Sequence, residues 1–165
     1  MKPGNIFVTV GTHAQQFDRL LKKMDELIAS KKVTDNVFAQ IGNSTHSPKN
    51  YEYKKFLTDS EYEEFIKSSD IIIAHAGAGT ILKTLAQNKP LVVVPRLKEF
   101  REHTNDHQLD LAKQLEKQEK AIGVQNIDQL WEAIQKAKTF KPKTSSDKQK
   151  LIQKIQEFIE NESAK

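Results

Sequence analysis

The sequence predicts an α/β domain whose parallel sheet carries helices on both faces, a doubly wound, Rossmann-like fold. Short runs of β-branched residues alternate along the chain with longer segments whose apolar residues recur at helical spacing. Such an alternation is typical of parallel strands joined by right-handed crossovers, which place helices on both sides of the sheet. The length of 165 residues suits one compact domain, and no internal repeat is present.

Six segments are predicted to be strands. IIIAHAG (71–77) and PLVVVP (90–95) are apolar enough to be buried on both faces, as the central strands of a parallel sheet are. The other candidates are NIFVTV (5–10), NVFAQIG (36–42), the polar YEYKKFL (51–57) and KAIGV (120–124).

A helix is predicted after each strand except the second. The clearest is 17–30, whose apolar residues lie on one face of a helix: Phe17, Leu20, Leu21, Met24, Leu27 and Ile28. Thr58, Asp59 and Ser60 are N-cap candidates for the helix at 58–70. The remaining helices are expected at 80–89, 103–118 and 126–138.

We divide the chain into the α/β domain at 1–137, a basic linker at 138–148 and an amphipathic C-terminal helix at 149–165. The last helix carries one apolar stripe on a charged background: Leu151, Ile152, Ile155, Phe158 and Ile159. The stripe either packs against the chain's own sheet or docks on another molecule. The pattern alone favours neither.

Composition argues against several classes of protein. The chain has no cysteine, which excludes disulfides and thiolate metal sites. No apolar run approaches the roughly 20 residues that a membrane-spanning helix needs, and MKPGNIFVTVG lacks the features of a secretory signal. We therefore expect a cytoplasmic protein. The net charge of +4 fits either solubility or attraction to anionic lipids, and no basic stripe with interleaved aromatics indicates nucleic-acid binding.

Three loops that follow predicted strands carry the residues expected to form a ligand site. In open α/β sheets the ligand crevice lies beyond the carboxyl ends of the strands. The loops are VGTHAQQF (10–17), HAGAGT (75–80) and PRLKEFREHTNDHQ (95–108).

The HAGAGT turn predicts an anion site. Gly77 and Gly79 leave backbone N–H groups uncovered at the start of a helix, where the helix dipole is positive and phosphate is a common occupant. The alternative is that these glycines only let the helix and the strand pack closely. Neither a G-x-G-x-x-G nor a P-loop pattern is present, so the phosphate site is expected after the fourth strand rather than the first.

Metal and serine-hydrolase chemistry are not indicated. His103 and His107 could share a helix face, but no HExxH pattern accompanies them or the other histidines. No G-x-S-x-G nucleophile elbow is present either. We expect no essential metal and no cofactor.

Three stretches together resemble the donor-binding half of GT-B glycosyltransferases related to family 28: IFVTVGTHAQQFDRLLKKMDEL, IIIAHAGAGTILKTLAQNKPLVVVPR and EHTNDHQLDLAKQL. The similarity spans about residues 5–137 and is greatest to small bacterial exopolysaccharide and capsule proteins that form one half of a two-chain enzyme. The dolichol-pathway N-acetylglucosaminyltransferase subunit of eukaryotes is a more distant relative. The resemblance implies a single GT-B half that binds a UDP-sugar, while a separate membrane-anchored subunit binds a lipid-linked saccharide acceptor.

The resemblance also implies a role for each matching residue. Gly11, Thr12 and His13 would face the diphosphate, and the backbone of Phe56 and Leu57 would read uracil. The diphosphate would lie on the helix that follows the glycine turn, held by His75, Gly77, Ala78, Gly79 and Thr80. Asp106, His107 and Gln108 would contact the donor sugar, with Gln108 as its hydrogen-bonding partner. Arg96 and His103 would contact phosphate; a surface ion pair is an equal alternative for Arg96.

One position departs from the family pattern. Cell-wall relatives place a glutamate in the helix after the glycine turn, where it bonds the ribose hydroxyls, and Lys83 stands at that position here. Lysine has no acceptor for those hydrogen bonds. Ribose must be held in another way, or the nucleotide binds weakly without the partner.

The reaction implied by the resemblance is inverting transfer of a hexose (galactose, glucuronic acid or N-acetylglucosamine) in exopolysaccharide or capsule synthesis. Backbone donors, a helix dipole and a basic side chain would stabilise the departing UDP. The general base would come from the partner, with His13 as the local candidate. The chain would be held at the inner face of the plasma membrane through its partner and could form a homodimer when isolated. The alternatives are a non-catalytic enhancer subunit and a nucleotide-sugar epimerase, which the chain length disfavours.

Overall fold

The computed structural model describes residues 2–143 and 148–163 and contains one parallel sheet of six strands. The strands are β1 (Asn5–Thr9), β2 (Asn36–Gln40), β3 (Glu52–Lys54), β4 (Ile71–Ala74), β5 (Leu91–Val93) and β6 (Ile122–Gly123). Their order is β3-β2-β1-β4-β5-β6, and every neighbouring pair is parallel. The chain therefore starts at the centre of the sheet and extends to both edges, which confirms the predicted doubly wound fold.

Six α-helices connect or follow the strands: α1 (Asp18–Ala29), α2 (Asp59–Ser68), α3 (Ala78–Ala86), α4 (His107–Lys117), α5 (Leu130–Ala137) and α6 (Lys148–Ser163). Short 3-10 turns lie at Lys98–Phe100 and Ile127–Gln129. Three helix starts differ from expectation. The helix α5 begins at Leu130 rather than at residue 126, after the 3-10 turn at Ile127–Gln129. The helix α3 begins at Ala78 rather than at Thr80, so Gly79 lies inside its first turn. The helix α4 begins at His107 rather than at residue 103, because the preceding loop is closed by a hydrogen bond from Lys98 N–H to Asp106.

The sheet separates two apolar cores, one on each face. Alternate residues of β1 show the division, since Ile6 and Val8 belong to one core and Phe7 to the other. The first core holds the buried faces of α1 and α5, and the second those of α2, α3 and α4. Both faces of the central strands are thus covered, as the continuous apolar runs at 71–74 and 91–93 predict.

The C-terminal helix returns to its own domain. Ile155 is buried in the second core, and Leu151 packs against the same cluster. Residues of α6 lie against α3. The structure thus favours the first of the two expectations for this stripe, packing on the chain itself; the side chains of Phe158 and Ile159 lie outside the described part. None of the helices in the described ranges has the length and apolarity that crossing a bilayer demands.

Candidate functional site

A crevice opens at the carboxyl edge of the sheet between β1 and β4. These strands are neighbours, and the chain leaves them toward opposite edges of the sheet, which is the usual position of a ligand site in this architecture. A cavity of about 300 Å³ lies there. It is lined by Gly11, Thr12, Gln40, Leu57, Asp59, Tyr62, His75, Gly77, Gly79, Thr80 and Lys83. A cavity of about 500 Å³ between α3 and α6 is larger and more apolar, but it is remote from the strand ends.

The first turn of α3 borders this cavity through Gly77, Gly79 and Thr80. Gly77 is the N-cap residue, and its own N–H donates to the His75 carbonyl at 2.8 Å. The next three N–H groups, of Ala78, Gly79 and Thr80, precede the first intrahelical donor, and no described side chain caps them. Because the helix dipole adds partial positive charge at the same point, the turn is suited to an anion.

The Thr80 hydroxyl is already engaged. It forms a 2.5 Å hydrogen bond with the Tyr62 hydroxyl, which α2 brings over the crevice. Burial raises the pKa of the Tyr62 phenol above its ordinary value, so the hydroxyl stays protonated. Thr80 therefore offers a ligand its backbone N–H, and its side chain instead joins α2 to α3.

The two glycines beside His75 are required by its imidazole ring. A Cβ atom on Gly77 would lie 2.1 Å from Nε2 of His75, and one on Gly11 would lie 2.5 Å from Cε1 of the same ring. Gly11 also has a φ of +74°, a conformation that L side chains rarely adopt. Gly79 differs from both, because a Cβ atom there would meet nothing within 4 Å. Only at Gly79 does the missing side chain leave open space in front of the helix.

The imidazole of His75 is held in its neutral form. Burial, reinforced by the charge of Arg96, lowers its pKa to about 3. Its Nδ1 is buried and has no hydrogen-bond partner among the described residues, while its backbone N–H donates to the Thr9 carbonyl at 3.3 Å. At neutral pH this ring therefore contributes a polar, uncharged wall to the crevice.

Arg96 has a different place from the one expected. Its side chain is fully buried, and its guanidinium donates to the carbonyls of Val10, Gln15, Gln16 and Glu102. Burial lowers its pKa to about 10, which leaves it charged at neutral pH. Because its terminal N–H groups are directed at loop carbonyls, the expected phosphate contact and the alternative surface ion pair are both wrong in this arrangement. The charge still acts on the crevice, since it lowers the pKa of His75 and His13.

An ion pair between Arg19 and Glu102 joins the same loops. Arg19 on α1 donates to both oxygens of Glu102 at 2.9 Å, and the Glu102 side chain is fully buried. Glu102 also accepts from the Leu97 N–H at 3.0 Å. The loop after β5 is thus fixed to α1 and to the loop after β1 by two arginines and one carboxylate.

His13 in the loop after β1 and His103 in the loop after β5 stack on each other. Their ring centroids are 5.0 Å apart with an interplanar angle of 28°. In each ring Nδ1 accepts from the backbone N–H two residues later, Gln15 and Asn105, at 3.3 Å. The neutral rings therefore carry their proton on Nε2. Burial, with the charge of Arg96 and the neighbouring His103, lowers the pKa of His13.

The three residues expected at the donor sugar lie at the start of α4. Gln108 is buried, and its Oε1 accepts from the Arg96 N–H at 3.0 Å. Asp106 accepts from the Lys98 N–H at 2.9 Å, and the His107 N–H donates to Asn105 at 3.2 Å. All three shape the loop after β5 through these contacts, and their contact with a sugar stays a prediction.

The residues expected to read uracil lie beside the crevice. Leu57 lines the cavity, but its N–H already donates to Oε1 of Gln40 at 3.1 Å. Leu57 therefore has only its carbonyl left for a base. Phe56 is 49% exposed, an unusual state for a phenylalanine next to a cavity.

A comparison with known families decides the classification. The model of the glycosyltransferase family 28 C-terminal domain matches residues 5–162. The chain belongs to this family. The match includes α6, so the family likeness extends beyond residue 137, where the sequence patterns ended.

The sequence is also similar to individual proteins. UDP-N-acetylglucosamine transferase subunit ALG13 of Homo sapiens is 38% identical over 122 residues, which are 68% of this chain and 10% of that protein. The chain thus spans about a tenth of the length of the human and mouse relatives it matches.

Solved structures share the fold. An NMR solution structure of ALG13 superposes with a TM-score of 0.58 at 19% identity and covers 87% of this chain and 90% of that one. The crystal structure of the glycotransferase of kitacinnamycin superposes with a TM-score of 0.64 at 18% identity and covers 94% of this chain and 38% of that one. The family 28 domain is therefore one Rossmann-like half of a GT-B architecture.

Several residues that build the site were not anticipated. Gln40 and Thr9 are buried polar residues at strand ends, and Gln40 Nε2 donates to the Thr9 hydroxyl at 3.5 Å. Tyr62, Arg19 and Glu102 come from helices or loops far away in sequence. A signal was available only for Gln40, an amide side chain that follows the apolar run 37–39 at the end of β2. Nowhere in the described part of the chain do three His, Asp or Glu side chains converge as a metal site.

Proposed function

We propose that this chain is the UDP-sugar-binding, catalytic subunit of a two-chain, inverting glycosyltransferase. The observation that carries the proposal is the first turn of α3, which has three N–H groups without a side-chain cap and borders a cavity beside a neutral His75. A diphosphate fits such a turn because its charge is met by the helix dipole and backbone donors. The buried charge of Arg96 adds positive potential without touching the ligand.

The donor we place first is UDP-N-acetylglucosamine. Support comes from the human relative, whose name states that it is a subunit of a UDP-N-acetylglucosamine transferase. Donors carrying galactose or glucuronic acid are the alternatives, because the loop with Asp106, His107 and Gln108 offers charged and amide groups that suit several hexoses.

In the proposed reaction an acceptor hydroxyl oxygen forms a bond to the anomeric carbon while the bond from that carbon to the UDP oxygen breaks. Negative charge grows on the departing diphosphate, where the α3 N–H groups stabilise it without an essential metal. His13 suits a donor role better than a basic one, since its Nε2 carries the proton in the neutral ring. The acceptor proton therefore goes to a base supplied by the partner subunit.

The partner we propose is a membrane-anchored subunit that binds a lipid-linked saccharide acceptor, in exopolysaccharide or capsule synthesis. The domain corresponds to one GT-B half, and the human relative is itself named a subunit. The complex would place this cytoplasmic chain at the inner face of the plasma membrane.

A titration of the ¹⁵N-labelled chain with UDP, followed by NMR, tests the proposed site even for weak binding. We expect the amide signals of Ala78, Gly79 and Thr80 to move first, because their N–H groups would receive the diphosphate. Gly79→Val should abolish these shifts while the spectrum stays folded, since a side chain there has free space in the protein. Shifts scattered over the surface, or none, would overturn the donor site and leave a non-catalytic enhancer subunit as the better explanation.

The same titration with UDP-N-acetylglucosamine, UDP-galactose and UDP-glucuronic acid tests the choice of sugar. The preferred donor should add shifts in the loop after β5, around Asp106 to Gln108, that UDP alone does not cause. If UDP-galactose or UDP-glucuronic acid gave the tighter complex, the proposed sugar would be wrong and the proposed site would stand.

A further inference from the structure

The wall of the cavity also carries two side chains of opposite charge, Asp59 and Lys83. Lys83 lies on α3 four residues after Gly79, and therefore on the same face of the helix, about one turn further along. Asp59 is the first residue of α2 and lines the same cavity. A ligand whose anionic group sits at Gly79 would extend between these two residues.

Asp59 is held in place by the start of its helix. Thr58 and Glu61 form a capping box, with the Glu61 N–H donating to the Thr58 hydroxyl at 3.2 Å and the Thr58 N–H to Glu61 at 2.9 Å. The Leu57 N–H, one residue earlier, is fixed by Gln40. The backbone that presents the Asp59 carboxylate is thus ordered without a ligand.

The carboxylate of Asp59 has neither a hydrogen bond nor an ion pair with any other described residue. Its acidic neighbours differ: Glu61 binds Lys54 at 2.6 Å, and Glu63 lies 3.5 Å from Lys83. Asp59 is also the one carboxylate among the residues that line the cavity. The carboxylate oxygens of Asp59 can therefore accept hydrogen bonds from a ligand in the cavity, whereas the Lys83 ammonium can only donate them.

We infer that Asp59 accepts hydrogen bonds from the ribose hydroxyls of the bound nucleotide, while the Lys83 ammonium donates to the same diol. This inference rests on the proposed diphosphate position at α3. Ribose follows the diphosphate directly in UDP, and a vicinal diol offers donors to a carboxylate and acceptors to an ammonium group. The ribose is thus recognised by residues of both α2 and α3. Asp59 supplies the hydrogen-bond acceptor that Lys83 lacks.

Calorimetric titration of the full chain with UDP and with 2′,3′-dideoxyuridine diphosphate, which lacks both hydroxyls, tests the inference. Asp59→Asn should weaken UDP binding about tenfold to a hundredfold, as expected for hydrogen bonds to a charged group, and leave dideoxy-UDP binding nearly unchanged. Lys83→Gln should show the same selectivity with a smaller loss. The matched control is Glu64→Gln, an exposed carboxylate on α2 outside the cavity lining.

The outcomes separate the two proposals. Equal loss of both ligands in Asp59→Asn, or no loss of either, would overturn the ribose contact and leave the diphosphate site intact. Absence of UDP binding by the unmodified chain would overturn both. Thermal melts of each variant test whether misfolding causes the loss. Asp59→Asn should fold normally, because the capping box formed by Thr58 and Glu61 remains.

Discussion

The imidazole of His75 occupies the space that a side chain on Gly77 would need, with Nε2 only 2.1 Å from the position of the missing Cβ atom. Two residues further on, Gly79 faces open space. Glycine thus stands at these two positions of the HAGAGT turn for different reasons. Close packing explains Gly77, whereas Gly79 leaves the helix N–H groups accessible. The close-packing interpretation of the turn therefore fits Gly77, and the anion-site interpretation fits Gly79.

This contrast predicts opposite effects of the same substitution. Gly77→Ala should destabilise the fold by about 1–3 kcal/mol, because the ring of His75, which also packs against Gly11, would have to shift. Gly79→Ala should stabilise it by up to about 1 kcal/mol, since alanine is the better helix residue. Urea denaturation of both variants measures the difference. Equal stability of the two would contradict the packing found around His75.

Removing the guanidinium of Arg96 should cost about 3–5 kcal/mol, typical for a buried charged network that loses one member. Arg96→Met keeps much of the volume but leaves the carbonyls of Val10, Gln15, Gln16 and Glu102 without their donor. The free energy of unfolding from urea titrations checks this, with Lys98→Gln in the same loop as an exposed control. A loss below about 1 kcal/mol, the range of an exposed pair, would assign Arg96 to the surface.

Stability should fall as the pH drops below 6.5 because of His75. The pKa of His75 is lowered from 6.5 to about 3, so between these values the unfolded chain binds a proton that the folded chain does not. The stabilisation is therefore complete above pH 6.5 and is lost toward pH 3, with a slope of up to about 1.4 kcal/mol per pH unit. Urea titrations at pH 7.5, 6.0 and 5.0 should give a flatter dependence for His75→Gln than for the unmodified chain. The same pH dependence of the unfolding free energy in both proteins would refute the lowered pKa of His75.

Asp25 predicts a loss of stability in a lower pH window. Burial would raise its pKa, but hydrogen bonds from His46, Lys49 and Asn50 outweigh burial and lower it below 3.8. Its contribution is thus present above about pH 4 and disappears as the pH falls below that value. Asp25→Asn should cost about 1–3 kcal/mol at pH 7, since hydrogen bonds to a charged group are lost, and clearly less at pH 3. An unchanged difference at the two pH values would show that the charge of Asp25 is not involved.

Much of the fold was predictable because it depends on patterns within short segments. The alternation of apolar runs and helical stripes predicted all six strands and their connecting helices, and the continuous apolar runs at 71–77 and 90–95 predicted strands buried on both faces. The helix dipole at HAGAGT is likewise a local property, so its anion site could be proposed from the sequence alone.

The contacts around the crevice were not predictable, because they join distant segments. Arg96 meets Val10 across 86 positions, and Tyr62 meets Thr80 across 18. A cation that follows a strand can face a ligand or bind loop carbonyls, and no local pattern distinguishes these two outcomes. The same reason explains why Asp59 was recognised as an N-cap candidate while its place in the cavity wall was not.

The contacts of Arg96 also have a consequence for the kinetics of ligand binding. Since one guanidinium fixes the loops after β1 and β5 to each other, they cannot open and close independently. The crevice is formed before the ligand arrives, and association should follow a single exponential whose rate rises linearly with nucleotide concentration. Any slower phase of nucleotide binding would then originate outside these two loops.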